Sequence, residues 1–176
     1  ASCLSVRITH PSIKIIVLID ETSHKNIDSE IQILSEICNQ IMVISTPEGN
    51  ALFRNRWIKT QIPKYISASV LFLDSDILVR DTLYELPTLV SNIGAVTNHN
   101  AESPGMQLWE DDLNEIRIMN WHIDLEFYPN GGMFFFHQTP EVNEFFIRWH
   151  KYWIENYNKT GRGRDQPSLY FANHQD

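Results

Sequence analysis

Val70-Leu71-Phe72-Leu73 runs directly into Asp74-Ser75-Asp76, four apolar residues ending on two acids that a serine separates. Such a run reads as a buried strand, and its carboxyl end is where open α/β sheets bind ligands. In extended chain, alternate residues share a face, which sets the two carboxylates side by side. Like charges so close repel unless a cation lies between them or one takes up a proton. A hard divalent ion, Mg²⁺ or Mn²⁺, bound by few carboxylates and completed by substrate phosphates, meets that need. Asp76 is the expected direct ligand and Asp74 its companion, with the small Ser75 leaving the backbone accessible between them. The competing reading is a solvated turn, where Asp and Ser are common.

Other residues offer chemistry that suits the same substrate. Asn130 carries an amide that both donates and accepts, fit for sugar hydroxyls, while Gly131 and Gly132 clear side chains where backbone must approach a ligand. A turn before a strand explains the same three residues. Asp165, followed by Gln166 and Pro167, suits helix capping as well as sugar or acceptor recognition. Arg56 and Lys59, three apart on an expected helix, share a face and can lend positive charge to a departing phosphate; a solvated helix face is the alternative. His10, His24, His99, His122, His137, His150 and His174 fit no metal-ligand spacing and read as structural or exposed.

Alternating element types must position these groups. Ile13 to Asp20 is a continuous apolar strand ending on an acid, and Gln40 to Ser45 is a second. Between them a helix carries Ile31, Leu34, Ile37 and Cys38 at helical spacing, with Asp28 or Ser29 as its cap. Arg54 to Tyr65 reads as a helix with Trp57, Ile58 and Ile62 on its apolar side and Pro63 near its end. Val70 to Leu73 is the third strand and Gly94 to Thr97 the fourth; a loop over Ala101 to Gly105 precedes a helix from Trp109 to Ile118. Met133 to His137 is another strand. Thr139 and Pro140 open a long helix whose stripe is Val142, Phe145, Phe146, Trp149, Tyr152 and Trp153. Strands alternating with helices predict an α/β fold with a mostly parallel sheet flanked by helices.

The chain of 176 residues fits one domain spanning residues 1–176, and 43% apolar content excludes a disordered chain. Fourteen basic against 22 acidic residues give a net charge of −8, which opposes general binding to nucleic acid or anionic lipid. No apolar run reaches the ~20 residues of a membrane span. Cys3 and Cys38 are too few for a disulfide framework and read as buried free thiols. Asn158-Lys159-Thr160 is a formal glycosylation triplet, relevant only in a secretory compartment.

Three segments, in order, resemble one family. VLFLDSDILVRDTLYEL (residues 70–86) is similar to the DxD segment of GT-A fold glycosyltransferases, especially family eight. FYPNGGMFFFH (residues 127–137) resembles that family's Asn-(Ala or Gly)-Gly strand beside the donor sugar, and RDQPSLYFA (residues 164–172) its Asp-Gln-Pro helix beside the acceptor. The resemblance implies a Rossmann-like GT-A fold lacking its first strand, because only residues 1–11 precede Ile13 to Asp20. It also implies a metal-dependent hexosyltransferase that moves a sugar from a nucleoside diphosphate, expected to be UDP, to a hydroxyl of a carbohydrate, protein or lipid acceptor. Asn130, Asp165 and Gln166 would contact sugars; Asp74, Ser75, Asp76, Arg56, Lys59, Gly131 and Gly132 would line the donor, Asp74 through the metal or the ribose. The histidine that the family supplies to its metal has no counterpart. The expected compartment is the cytoplasm, or a secretory lumen if the chain is a piece of a longer protein. Two rivals remain: a non-catalytic domain binding nucleotide sugar or protein, and a haloacid-dehalogenase-type phosphatase. The phosphatase motif continues with Thr or Val where Leu78 stands, and its aspartate pair sits on the first strand.

Overall fold

A computed structural model describes residues 1–97, 110–122 and 128–174, apart from the Asp28 side chain. The fold is mixed α and β, and the chain divides into two compact units. The first comprises Ala1–Lys59 and Leu73–Leu86; the second comprises Thr60–Phe72 and Pro87–Asp176. The expected loop at 101–105, together with His99, Trp109 and Phe127, lies outside the described residues.

In the first unit, α1 (Ser2–Thr9) precedes β1 (Ile16–Asp20), α2 (Glu21–Asn26), α3 (Asp28–Ile37), β2 (Gln40–Ile44) and α4 (Ala51–Lys59). β1 and β2 pair in parallel, with Ile16 opposite Gln40 and Asp20 opposite Ile44. Asp20 ends β1 and caps α2, its Oδ1 accepting the Thr22 and Ser23 amides at 3.1 and 3.0 Å. The cap position of α3 is Ile27, so Asp28 and Ser29 stand inside the first turn rather than before it.

In the second unit, α5 (Ile62–Tyr65) leads to β3 (Val70–Leu73), whose last residue belongs to the first unit. Then come α6 (Leu86–Leu89), β4 (Ile93–Thr97), α7 (Glu110–Met119), β5 (Pro129–Phe136), α8 (Pro140–Thr160) and α9 (Asp165–Asn173). The three strands form an antiparallel sheet in the order β3-β5-β4. The mostly parallel sheet expected from sequence is therefore corrected: only β1 and β2 are parallel among the described strands. A buried apolar run looks the same in either chain direction, so hydrophobic patterning carries no information on strand polarity.

The helix expected over Arg54 to Tyr65 is two helices, α4 and α5, broken at Thr60 and Gln61. Pro63 explains the break. Inside a continuous helix it lacks an N–H to donate and its ring meets the carbonyl four residues back, whereas the first turn of α5 accepts it.

α8 follows its signals closely. Thr139 Oγ1 accepts the Val142 amide at 3.3 Å with Pro140 in the first turn, and Val142, Phe145, Phe146, Trp149 and Trp153 are buried. Phe146 packs between strand and helix, with ring centroids 6.0 Å from Phe134 and 5.0 Å from Phe136. Gly161, at φ 71°, closes the helix in the left-handed conformation that glycine adopts without strain. No helix among the described residues is long and apolar enough to cross a membrane.

Candidate functional site

β3 delivers Leu73 to the start of Asp74-Ser75-Asp76, and there the chain turns. The Ile77 amide donates to the Asp74 carbonyl at 3.1 Å, closing a β-turn over Asp74 to Ile77. The extended geometry expected for these acids is therefore corrected: strand alternation does not set them side by side, since the strand has ended. Asp74 is half-buried, while Ser75 and Asp76 are exposed.

Lys59 reaches Asp74 from the last turn of α4. Its Nζ lies 3.3 Å from Asp74 Oδ2, with the lysine side chain 2% exposed and the aspartate 27%. The buried ammonium on this strand-end carboxylate offsets part of the repulsion the two acids would feel. Arg56 Nη1 donates to Asn55 Oδ1 at 2.5 Å. Among the described residues no basic group forms an ion pair with Asp76, and no cluster of three potential metal-ligating side chains occurs. Two carboxylates at one turn nevertheless suit a hard cation completed by diphosphate oxygens, with Asp76 the more available.

The second unit holds the other expected residues. Asn130, Gly131 and Gly132 lie inside β5 rather than in a turn before it. Pairing with β4 is irregular there: Ala95 faces Phe134 and Thr97 faces Pro129, so two steps on β4 match five on β5. The extra residues include Asn130-Gly131-Gly132, and Asn130 Oδ1 accepts the Gly132 amide at 2.6 Å across the bulge. Bulges bend a strand and re-aim its side chains, commonly beside functional sites. Gln166 Nε2 donates to the Pro129 carbonyl at 3.1 Å, tying α9 to the start of that strand.

Asp165 occupies the first turn of α9, with Arg164 in the cap position, so it is not the cap that sequence suggested. It is 4% exposed. Its backbone carbonyl accepts from Trp149 Nε1 at 3.1 Å and from Ser168 Oγ at 2.9 Å.

Beside Asp165 lies a polar cluster that patterning did not single out. Asp112 accepts from Arg164 Nε and, at 3.0 Å, from the Tyr128 hydroxyl; Glu115 Oε2 accepts from Asn156 Nδ2 and, at 3.0 Å, from the Arg164 amide. Burial pushes both carboxyls above their ordinary range, outweighing Arg164 on Asp112 and the hydrogen bonds on Glu115. The available signal was the spacing: Asp112, Glu115 and Ile116 share one face of α7, three and four residues apart.

Another polar pair, half-buried at the histidine, joins Thr60 Oγ1 to His150 Nδ1 at 2.8 Å. Burial, aided by the Lys64 charge, lowers the imidazole to about 4. The ring is neutral near pH 7, and Thr60 is fully enclosed, which fits a structural role. His10 is buried too, its Nε2 accepting the Leu83 amide at 2.8 Å. No protein-family model, curated protein or solved structure matches the chain.

Proposed function

We propose that the protein is a metal-dependent glycosyltransferase that takes a hexosyl group from a nucleoside-diphosphate donor, UDP-linked in the first instance, and passes it to an acceptor hydroxyl. The single observation that carries this reading is the enclosed Lys59 ammonium 3.3 Å from Asp74, two residues before the exposed Asp76 at the end of an apolar strand. A site for diphosphate needs positive charge that is fixed before the substrate arrives, together with a carboxylate left free to hold a cation.

In this reading Asp76 and Asp74 hold Mg²⁺ or Mn²⁺, which supplies neutralisation of the diphosphate as it leaves. Lys59 is prepositioned for the same charge because its side chain is already ordered and desolvated, so little reorganisation accompanies binding. Asn130 and Gln166, held to Gly132 and Pro129 by hydrogen bonds, are the proposed sugar contacts, with Asp165 as the residue that orders the start of α9.

The turn at Asp74 to Ile77 favours one other reading, an ordinary solvated strand end in a domain that binds without catalysing. Thermal shift with a panel of nucleotide sugars, with and without Mn²⁺, separates the two, since a ligand bound by the folded form alone raises Tm. A Mn²⁺-dependent rise that Asp76→Ala abolishes, with release of free sugar on longer incubation, is the expected result. An identical rise in that variant removes Asp76 from the metal, and binding without sugar release leaves the non-catalytic domain. Turnover of p-nitrophenyl phosphate instead would place the aspartates in a phosphatase.

A further inference from the structure

α1 sets Cys3 and Arg7 one turn apart on the same face. Arg7 fixes that face against the end of α3: its Nε donates to the Ile37 carbonyl at 3.1 Å and its Nη2 to Asn39 Oδ1 at 2.7 Å. Cys38 lies between those two anchored residues, so the face of α1 that carries Cys3 and Arg7 is held against the segment that carries Cys38, and the neighbouring Cys3 thiol adds to the burial that raises the Cys38 thiol. Both are free thiols here. Cys3 is half-buried, while Cys38 lines a cavity of about 300 Å³ with His24, Ser35 and Asn39, which gives a small oxidant a route to the pair.

α1 also supports the segment beyond the Asp74 to Ile77 turn. The Val79 amide donates to Ser5 Oγ at 3.0 Å and the Leu83 amide to His10 Nε2 at 2.8 Å. The Tyr84 ring meets His10 edge-on with centroids 4.8 Å apart. Whatever immobilises α1 therefore immobilises residues 79–84.

We propose that Cys3 and Cys38 form a reversible disulfide that locks α1 to the junction between α3 and β2 and stiffens the segment following the aspartate turn. Hydrogen peroxide is the oxidant class. The Cys3 sulfur attacks one peroxide oxygen, breaking the O–O bond to give the sulfenic acid and one water. The Cys38 sulfur then displaces the sulfenic hydroxyl, forming the S–S bond and releasing a second water with the Cys38 proton. Burial and the adjoining Cys3 push Cys38 up to about 12, so the second step depends on loss of that proton as the S–S bond forms. Reduction by a dithiol restores both cysteines.

The test treats the intact chain with peroxide, maps peptides without reduction and follows amide hydrogen exchange. A monomer lacking two hydrogens, a linked Cys3–Cys38 peptide, thiols recovered by dithiothreitol, and Val79 and Leu83 amides exchanging about tenfold more slowly after oxidation are expected. Cys3→Ser, a change at the less buried partner, should keep the native exchange pattern and lose the response to peroxide. Intermolecular dimers, a Cys3 sulfinic acid without a crosslink, or equal slowing in Cys3→Ser would each overturn the proposal. Because the readout is exchange and not sugar transfer, it stands or falls apart from the function proposed above.

Discussion

Buried charge is handled differently in the two units. In the first, each buried ion has an opposite partner: Arg54 Nε lies 2.7 Å from Asp20 Oδ1, and Lys59 lies 3.3 Å from Asp74. In the second, Asp112, Glu115 and Asp165 are all buried, with the Arg164 guanidinium the cation bridging to Asp112. Asp20 feels burial as an upward push, yet the Ser23 hydrogen bonds and Arg54 outweigh it and hold the carboxyl below 3.8. Asp112 and Glu115 go the other way. Matched partners keep an acid ionised in the interior, whereas shared or neutral partners leave it inclined to hold a proton.

The signs of pH dependence follow. The folded-state value of Asp20 is depressed, so its stabilisation is present above the ordinary 3.8 and is lost on acidification below it. Asp112 and Glu115, raised from 3.8 and 4.5, bind protons more readily when folded. Their ionisation costs stability as pH climbs out of the carboxylate range, and acidification restores it. Arg164→Met breaks this contrast hardest. It leaves Asp112 enclosed beside Tyr128 without its cation, a loss of about 3–5 kcal/mol in denaturant titrations at pH 7. That loss should shrink on acidification, as Asp112 neutralises itself. A loss that does not change with pH would mean that packing, not charge, is what Arg164 supplies. Glu115→Gln removes one of the raised acids and should flatten the rise in stability on acidification.

His150 sharpens the comparison because it opposes the carboxyls of its own unit. Lowered from 6.5 to about 4, it contributes stability above pH 6.5 that disappears as pH falls through 4. His150→Gln keeps an acceptor for the Thr60 hydroxyl and has no proton to gain, so its stability should lose the slope between those two pH values. An unaltered slope would locate the acid sensitivity elsewhere.

Sequence conveyed the elements better than their relations. VLFL, the α8 stripe and its Thr-Pro opening are visible because burial imposes a period on residue type. Strand direction in β4 and β5 was not visible, nor was the break at Thr60, which depends on Pro63 clashing with Lys59 in a continuous helix. At the candidate site, the residue types at Asp74, Asp76 and Lys59 were legible, but the lysine's near-complete enclosure was not, because a basic residue on a helix ordinarily faces water. The α7 acids were missed for the same reason. Glu110-Asp111-Asp112 looks like a solvated helix start, and only packing against Tyr128 and Arg164 makes its third member internal.

That stretch supplies the gentlest test of the comparison, between two bridges close together in sequence. Arg162 Nη1 lies 2.6 Å from Asp111 Oδ1, with the two side chains 62% and 54% exposed. Arg164 pairs with the adjacent Asp112, which is fully enclosed. The ion types are identical, so distance and charge alone predict similar contributions; solvent access predicts very different ones. Water screens the outer pair and both side chains lose conformational freedom in making it, which leaves about 0.2–1 kcal/mol. Arg162→Ala should therefore lower stability by no more than that, and 1 M salt should erase the difference by shortening the screening length to about 3 Å. Arg164 Nη1 also approaches Asp111 at 3.9 Å, so a double-mutant cycle of Arg162 and Asp111 isolates the outer pair more cleanly than either single variant. A coupling as large as the Arg164 effect would mean that burial is not what separates these two bridges.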